Sequence, residues 1–171
     1  MKIEKTFRDE KPEGFFKEYN ENGKVELEAT FKNGKKDGPY RLYNENGNLQ
    51  SESFFREDKL EGAFKLYYAN GQLQKEGTYQ EEKLEGSLRI YYENGNIREE
   101  RNFKAGKEEG LYKRYNEKGK LESETTFKNG KGEGPIKTFY ENGQVKQETF
   151  SIDGMFEGPF KIYYESGKLQ E

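Results

Sequence analysis

The chain has 171 residues, 30% of them apolar, 37% charged and 15% aromatic, with a net charge of −3 from 30 basic and 33 acidic residues. It has no Cys and no His, which excludes disulfides, thiolate or imidazole metal sites and any Ser-His-Asp or Cys-His machinery. Both signs of charge are interspersed without a basic stripe, which speaks against a nucleic-acid surface, and no run of about 18 apolar residues offers a membrane-spanning helix.

So few apolar residues would by themselves read as disorder. Their placement reads otherwise. Gly14, Gly38, Gly62, Gly86, Gly110, Gly134 and Gly158 follow one another at steps of 24 residues, and Gly23, Gly47, Gly71, Gly95, Gly119, Gly143 and Gly167 keep the same step. A constant period of this size is one supersecondary unit copied along an axis. Residues 1–171 therefore read as a single repeat domain, with a partial unit at 1–13, six full units over 14–157 and a partial unit at 158–171.

The elements follow in chain order. The partial first unit puts Met1 and Phe7 in apolar slots and Glu4 in an acidic one. In each full unit, two residues after the first glycine, stand Phe16, Tyr40, Phe64, Leu88, Tyr112, Ile136 and Phe160. Three after it is a basic residue, from Lys17 and Arg41 to Lys137 and Lys161; five after it is Tyr or Phe, from Tyr19 to Tyr163. A turn such as Glu21-Asn22-Gly23 follows, and Asn-Gly is a strong hairpin signal. The second strand carries an apolar residue (Val25, Leu49), a Glu (Glu28, Glu52, Glu76, Glu100, Glu124, Glu148) and an aromatic residue (Phe31, Phe55, Tyr79, Phe103, Phe127). A second turn closes the unit. It is Asn-Gly at Asn33-Gly34 and Asn129-Gly130 but Glu57-Asp58 and Glu81-Glu82 elsewhere, which suggests a different backbone type at those two places.

Two short aromatic and β-branched segments per unit read as a β-hairpin. The fold class is all-β: an elongated repeat protein of about seven stacked antiparallel hairpins, giving up to about 14 strands in one long twisted sheet. The basic and Glu series should face each other on adjacent strands, each pair contributing roughly 0.2–1 kcal/mol and fixing the register. The recurrent Tyr series is expected to form the apolar spine of the sheet.

This pattern resembles the MORN-repeat family, in its bacterial YwqK-like antitoxin-component variant. Gly38-Pro39-Tyr40-Arg41-Leu42-Tyr43-Asn44-Glu45-Asn46-Gly47 shows the first half of the repeat, and the likeness covers nearly the whole chain in seven copies. The resemblance implies stacked hairpins serving as scaffolds or protein-binding modules, with toxin neutralisation among some relatives and lipid membranes among others. The chain lacks the Trp of many eukaryotic copies, which weighs against lipid binding.

No residue pattern here carries chemistry. Gly130-Lys131-Gly132-Glu133-Gly134 lacks the Ser or Thr of a phosphate loop and reads as turn glycines. Glu residues of neighbouring units should lie about 9.6 Å apart, close to a glycosidase pair, but a ladder of equivalents gives no unique site. The chain is expected to be no enzyme and to need no cofactor or metal.

Specialisation is better sought where the copies differ. Leu42, Leu66 and Ile90 stand four after the glycine, Tyr68 and Tyr92 six after it, and Leu60 and Leu84 twenty-two after it. By strand alternation Leu66 and Tyr68 share a face, as do Ile90 and Tyr92, suggesting an apolar partner patch; the alternative is that the sheet curls and buries them. A second divergence, at Phe150, Ile152, Met155 and Phe156 with Ser151 in the aromatic slot, reads as an end cap.

The expected function is non-enzymatic protein–protein interaction, with a toxin as the partner the resemblance names. The alternative is a peripheral membrane or lipid-associated module, with carbohydrate binding behind it. Exposed sheet edges or the apolar patch would also allow a homodimer. The absence of Cys and of an apolar leader in Met1 to Glu10 fits the cytoplasm, although a secreted chain with its leader removed would read the same.

Overall fold

Strands form where aromatic and β-branched residues alternate with charged ones, and every chain reversal falls on glycine or a short polar pair. The computed structural model describes residues 2–170, so the Met1 slot lies outside the described residues. Two units are distinguished, 1–83 and 84–171, and the division falls inside the third copy of the repeat.

The first unit carries β1 (Lys2–Arg8), β2 (Lys11–Tyr19), β3 (Val25–Lys32), β4 (Lys35–Tyr43), β5 (Leu49–Arg56), β6 (Lys59–Leu60), β7 (Gly62–Tyr67) and β8 (Leu73–Gln80). The short β9 (Lys83–Leu84) lies across the division. The second unit carries β10 (Gly86–Tyr91), β11 (Ile97–Lys104), β12 (Lys107–Glu108), β13 (Gly110–Tyr115), β14 (Leu121–Lys128), β15 (Lys131–Gly132), β16 (Gly134–Phe139), β17 (Val145–Ile152) and β18 (Met155–Ile162). Within each unit, consecutive strands pair antiparallel. In four places a strand is interrupted at one residue, Glu61, Glu85, Glu109 or Glu133; joining those pieces turns eighteen strands into the fourteen expected.

The glycine after each interruption explains its own recurrence. Gly62, Gly86, Gly110 and Gly134 hold φ between 72° and 100°, a left-handed conformation that accommodates a bulge and that L side chains resist. At Gly38 a Cβ would also come within 3.0 Å of the Thr30 Cβ on the neighbouring strand.

The first turn is wider than a two-residue Asn-Gly hairpin. Asn20 N–H donates to Lys24 O (2.8 Å) and Gly23 N–H to Asn20 O (2.9 Å), and Gly23, at φ 74°, is its left-handed residue. The Asn20 side-chain oxygen accepts from the Asn22 and Lys24 N–H groups at 3.1 and 3.0 Å. Where Tyr replaces that Asn, the next Asn takes over: Asn70 Oδ1 accepts from Gln72 N–H and Asn94 Oδ1 from Asn96 N–H, both at 2.9 Å.

The second turns share one backbone type, correcting the expectation for the acidic pairs. Asn33 and Gly34 have φ 53° and 84°, Glu57 and Asp58 have 50° and 69°, and Glu81 and Glu82 have 51° and 63°. Two consecutive positive φ values in a two-residue hairpin are the type I′ turn, whose twist matches that of the strands, so the register dictates it whatever the residues. Each turn is also held by the preceding copy: Asn33 N–H donates to Glu13 Oε2 (2.7 Å), Glu81 N–H to Glu61 Oε2 (2.9 Å) and Ala105 N–H to Glu85 Oε2 (2.7 Å). The Glu before the repeat glycine, at Glu13, Glu61, Glu85, Glu109 and Glu133, thus caps the following turn.

A left-handed non-glycine residue costs about 1–2 kcal/mol. Replacing Glu82 by Gly relieves that strain at the expense of some chain entropy. The expected net gain is about 0.5–1 kcal/mol, read as a higher midpoint in urea or heat denaturation, whereas Gly106→Glu lowers it.

Candidate interaction faces

Strand alternation gives the sheet of each unit two unlike faces. One is ionic. In the first unit the directly opposed residues run Glu4, Lys17, Glu28, Arg41, Glu52, Lys65 and Glu76 from β1 to β8. In the second they run Arg89, Glu100, Lys113, Glu124, Lys137, Glu148 and Lys161 from β10 to β18. Lys17 Nζ meets Glu28 Oε1 at 2.7 Å, and Arg41 reaches Glu52 Oε1 through Nη2 at 2.7 Å and Nε at 2.8 Å. The opposed charges expected from the sequence are therefore adjacent, and interior Glu residues have a cation on both neighbouring strands.

The Tyr series belongs to this face and does not form the apolar spine. Tyr19 donates to Glu4, Tyr43 to Glu28, Tyr115 to Glu100 and Tyr163 to Glu148, at 2.9, 2.8, 2.9 and 3.3 Å. Each hydroxyl reaches the Glu of the preceding copy. The Lys17 ammonium, and more weakly the Tyr43 hydroxyl, hold the Glu28 carboxyl below its ordinary value, against some opposing burial. Burial first, then the hydrogen bond to Glu100, pushes the Tyr115 hydroxyl up to about 12.

The spine lies on the opposite face. It pairs Phe16 with Phe31, Tyr40 with Phe55, Phe64 with Tyr79 and Tyr112 with Phe127, at ring-centroid distances of 5.8, 5.4, 5.0 and 6.2 Å. Long cations lie over these rings: Lys36 over Tyr40 at 4.8 Å and Arg101 over Tyr112 at 5.2 Å. The buried apolar residues among those described, Ala29, Phe64 and Leu88, lie on the same face.

The seven residues of the sequence-derived patch are all half-buried. Leu42 opposes Leu27 and Leu66 opposes Ser51 in the first unit, on the ring face, where Leu60 opposes Phe55. Tyr68 closes its turn by donating its N–H to Gln72 O. In the second unit Ile90 opposes Glu99, and the Leu84 carbonyl accepts from Gly106 N–H. The Tyr92 hydroxyl donates to Tyr115 O at 2.8 Å, and Tyr140 repeats that bond to Tyr163 O at 2.7 Å. Tyr92 thus ties one copy to the next.

Four exposed apolar side chains of the interior strands stand elsewhere. Phe15 is 75% exposed, Phe54 40%, Leu111 41% and Phe150 45%. All belong to opposed pairs on the ionic face: Phe15 with Thr30, Pro39 with Phe54, Leu111 with Thr126, and Pro135 with Phe150. Shallow depressions lie beside the row. One of about 390 Å³ is bordered by Phe15, Lys17, Pro39 and Arg41, and one of about 410 Å³ by Pro39, Glu52, Phe54 and Lys65. In the second unit a smaller one, about 170 Å³, lies beside Ser87, Arg89 and Leu111. The sequence carried a signal for this row: these positions change from copy to copy while the ladder beside them does not. Ser151, the odd residue in the aromatic slot, is buried with its hydroxyl 3.1 Å from Gly132 O.

No helix of the described residues is long and apolar enough to cross a membrane, and among those residues no group of three or more acidic side chains is placed to hold a metal ion. Antiparallel hairpins stacked at a constant 24-residue step define a β-hairpin repeat protein. The pattern of the MORN repeat variant matches residues 12–33, 36–57, 60–81, 84–105, 108–129, 132–153 and 156–171, and the chain belongs to that family. MORN repeats are generally involved in protein or membrane binding. No curated protein matches the chain.

The Tyr–Glu ladder fixes the sign of the pH response. A raised Tyr pKa stabilises below the ordinary value of 10, an effect lost as pH rises through about 12; the lowered Glu28 pKa stabilises above 4.5, an effect lost on acidification. Urea midpoints should therefore be flat between about pH 6 and 9 and fall on either side. Tyr115→Phe should cost about 1 kcal/mol at pH 7 and blunt the alkaline fall.

Proposed function

We propose that the chain is a non-enzymatic module that binds another protein through the ionic face, and that a protein toxin held inactive by this contact is the partner. The first part is supported by one observation: solvent-exposed Phe15 and Phe54 stand beside a charge ladder already neutralised within itself. Apolar side chains ringed by charge are the usual composition of a partner surface. Balanced charge favours a protein over an anionic membrane, which a basic surface would attract. The toxin reading rests on the resemblance to the antitoxin-type variant.

Phe15→Ser with Phe54→Ser should leave stability within about 0.5 kcal/mol, since both are surface positions, and weaken the partner at least about tenfold, as loss of two anchors does. Leu66→Glu, on the half-buried ring face, should cost about 1–3 kcal/mol of stability. The measurement is titration of the purified chain against the product of the adjacent gene, with a growth assay for toxicity. No complex up to high micromolar concentration opposes the reading. Binding that survives the double Phe change but is lost in Leu66→Glu or Tyr92→Ala at unchanged fold moves the site to the ring face.

A further inference from the structure

The two outermost strands are unlike halves of one hairpin. β18 is a first strand of the repeat, paired with β17. On its other side the described pairing is confined to the tip, where Tyr163 bridges Leu169 and Gln170 N–H donates to Ile162 O at 2.8 Å. β1 is a second strand, registered with β2. The outer strands are also apolar where a repeat end would ordinarily be polar: Met155 is 70% exposed, Phe156 80% and Phe160 61% in β18, and Phe7 53% in β1.

We infer that β18 of one chain receives β1 of a second copy, head to tail. The repeat supplies the register. In every complete hairpin the first glycine opposes the residue seventeen on, aromatic in all but the Ser151 copy, and the basic residue opposes the Glu eleven residues on, as Gly14 opposes Phe31 and Lys17 opposes Glu28. The same rule sets Gly158 against Phe7, Pro159 against Thr6, Phe160 against Lys5 and Lys161 against Glu4 of the second copy. Lys161 already faces Glu148 on its inner side, so Glu4 would give it the two acidic neighbours that an interior cation has. Phe7 and Phe160 would form the ring pair that Phe16 and Phe31 form within the chain. By the 24-residue register the ends overlap over three positions, where Leu169, Gln170 and Glu171 hold the places of Met1, Lys2 and Ile3, and one of the two ends yields. Such an interface is heterologous, joining unlike surfaces, so each copy bound leaves an edge for the next.

The chain has no cysteine, so directed cross-linking is clean. Directly opposed residues lie within disulfide range. Position 159 tolerates replacement, since its equivalents are Phe15, Ala63, Ser87 and Leu111. Mild oxidation of mixed Thr6→Cys and Pro159→Cys chains should give a covalent dimer, the doubly substituted chain should give a ladder of covalent multimers, and each single variant alone should form no covalent dimer. Sedimentation of the unmodified 171-residue chain should show mass rising with concentration, and Lys161→Glu should weaken that association by about threefold or more. A chain that stays monomeric at every concentration overturns the inference. So does cross-linking of either single variant to itself in place of the mixed pair, which would mean a two-fold symmetric contact.

Discussion

The constraint on which everything else depends is the register that sets each Glu of a second strand between the cations of its two neighbours. A slip of one residue would turn every side chain to the opposite face. Lys17 would then lie among the rings and Phe16 among the carboxylates. Individual exposed ion pairs are weak, but the ladder acts on register more than on energy, because only one alignment pairs all its members. The Tyr hydroxyls add a link between copies, since Tyr43 reaches back to Glu28 and Tyr115 to Glu100. A sheet with few fully buried side chains can hold one arrangement because its polar face is as specific as its apolar one.

That division of labour also separates structure from recognition. The ladder repeats in every copy and the ring pairs in most, and both serve the shared fold. The side chains standing clear of both, at Phe15, Pro39, Phe54 and Leu111, vary from copy to copy. A partner can be matched by changing these without touching the groups that keep the strands aligned.

Much of the fold was legible because period and spacing are rigid. The 24-residue step, the two turns per unit and the opposed Lys17 and Glu28 all follow from residue positions alone. The Tyr series was misplaced for a physical reason. An aromatic ring with a hydroxyl suits either face, and only the length of Tyr43 measured against Glu28 of the preceding copy reveals which. The acidic pairs Glu57-Asp58 and Glu81-Glu82 misled in the other direction. Intrinsic preference argued for another turn, but the strands on either side impose the same dihedrals on any residue between them. The candidate patch was drawn from apolar character, which finds Leu66 and Ile90 but not their half-burial. Phe15, one after its glycine, and Phe54, sixteen after its own, give no sequence signal of that kind because neither position keeps a periodic identity.

The buried Ser151 bears on how such a protein can be rearranged. It fills a slot that elsewhere holds a ring, and it fits because Gly132, whose carbonyl its hydroxyl meets, has no side chain: a Cβ there would stand 3.0 Å from the Ser151 hydroxyl. The small residue and the missing one belong to different copies and are matched to each other. Modules that look interchangeable on paper are therefore keyed to their neighbours. Transplanting the sixth behind another copy would set a larger side chain, such as Leu60 or Glu108, against the serine, so the order of the segments is itself inherited information.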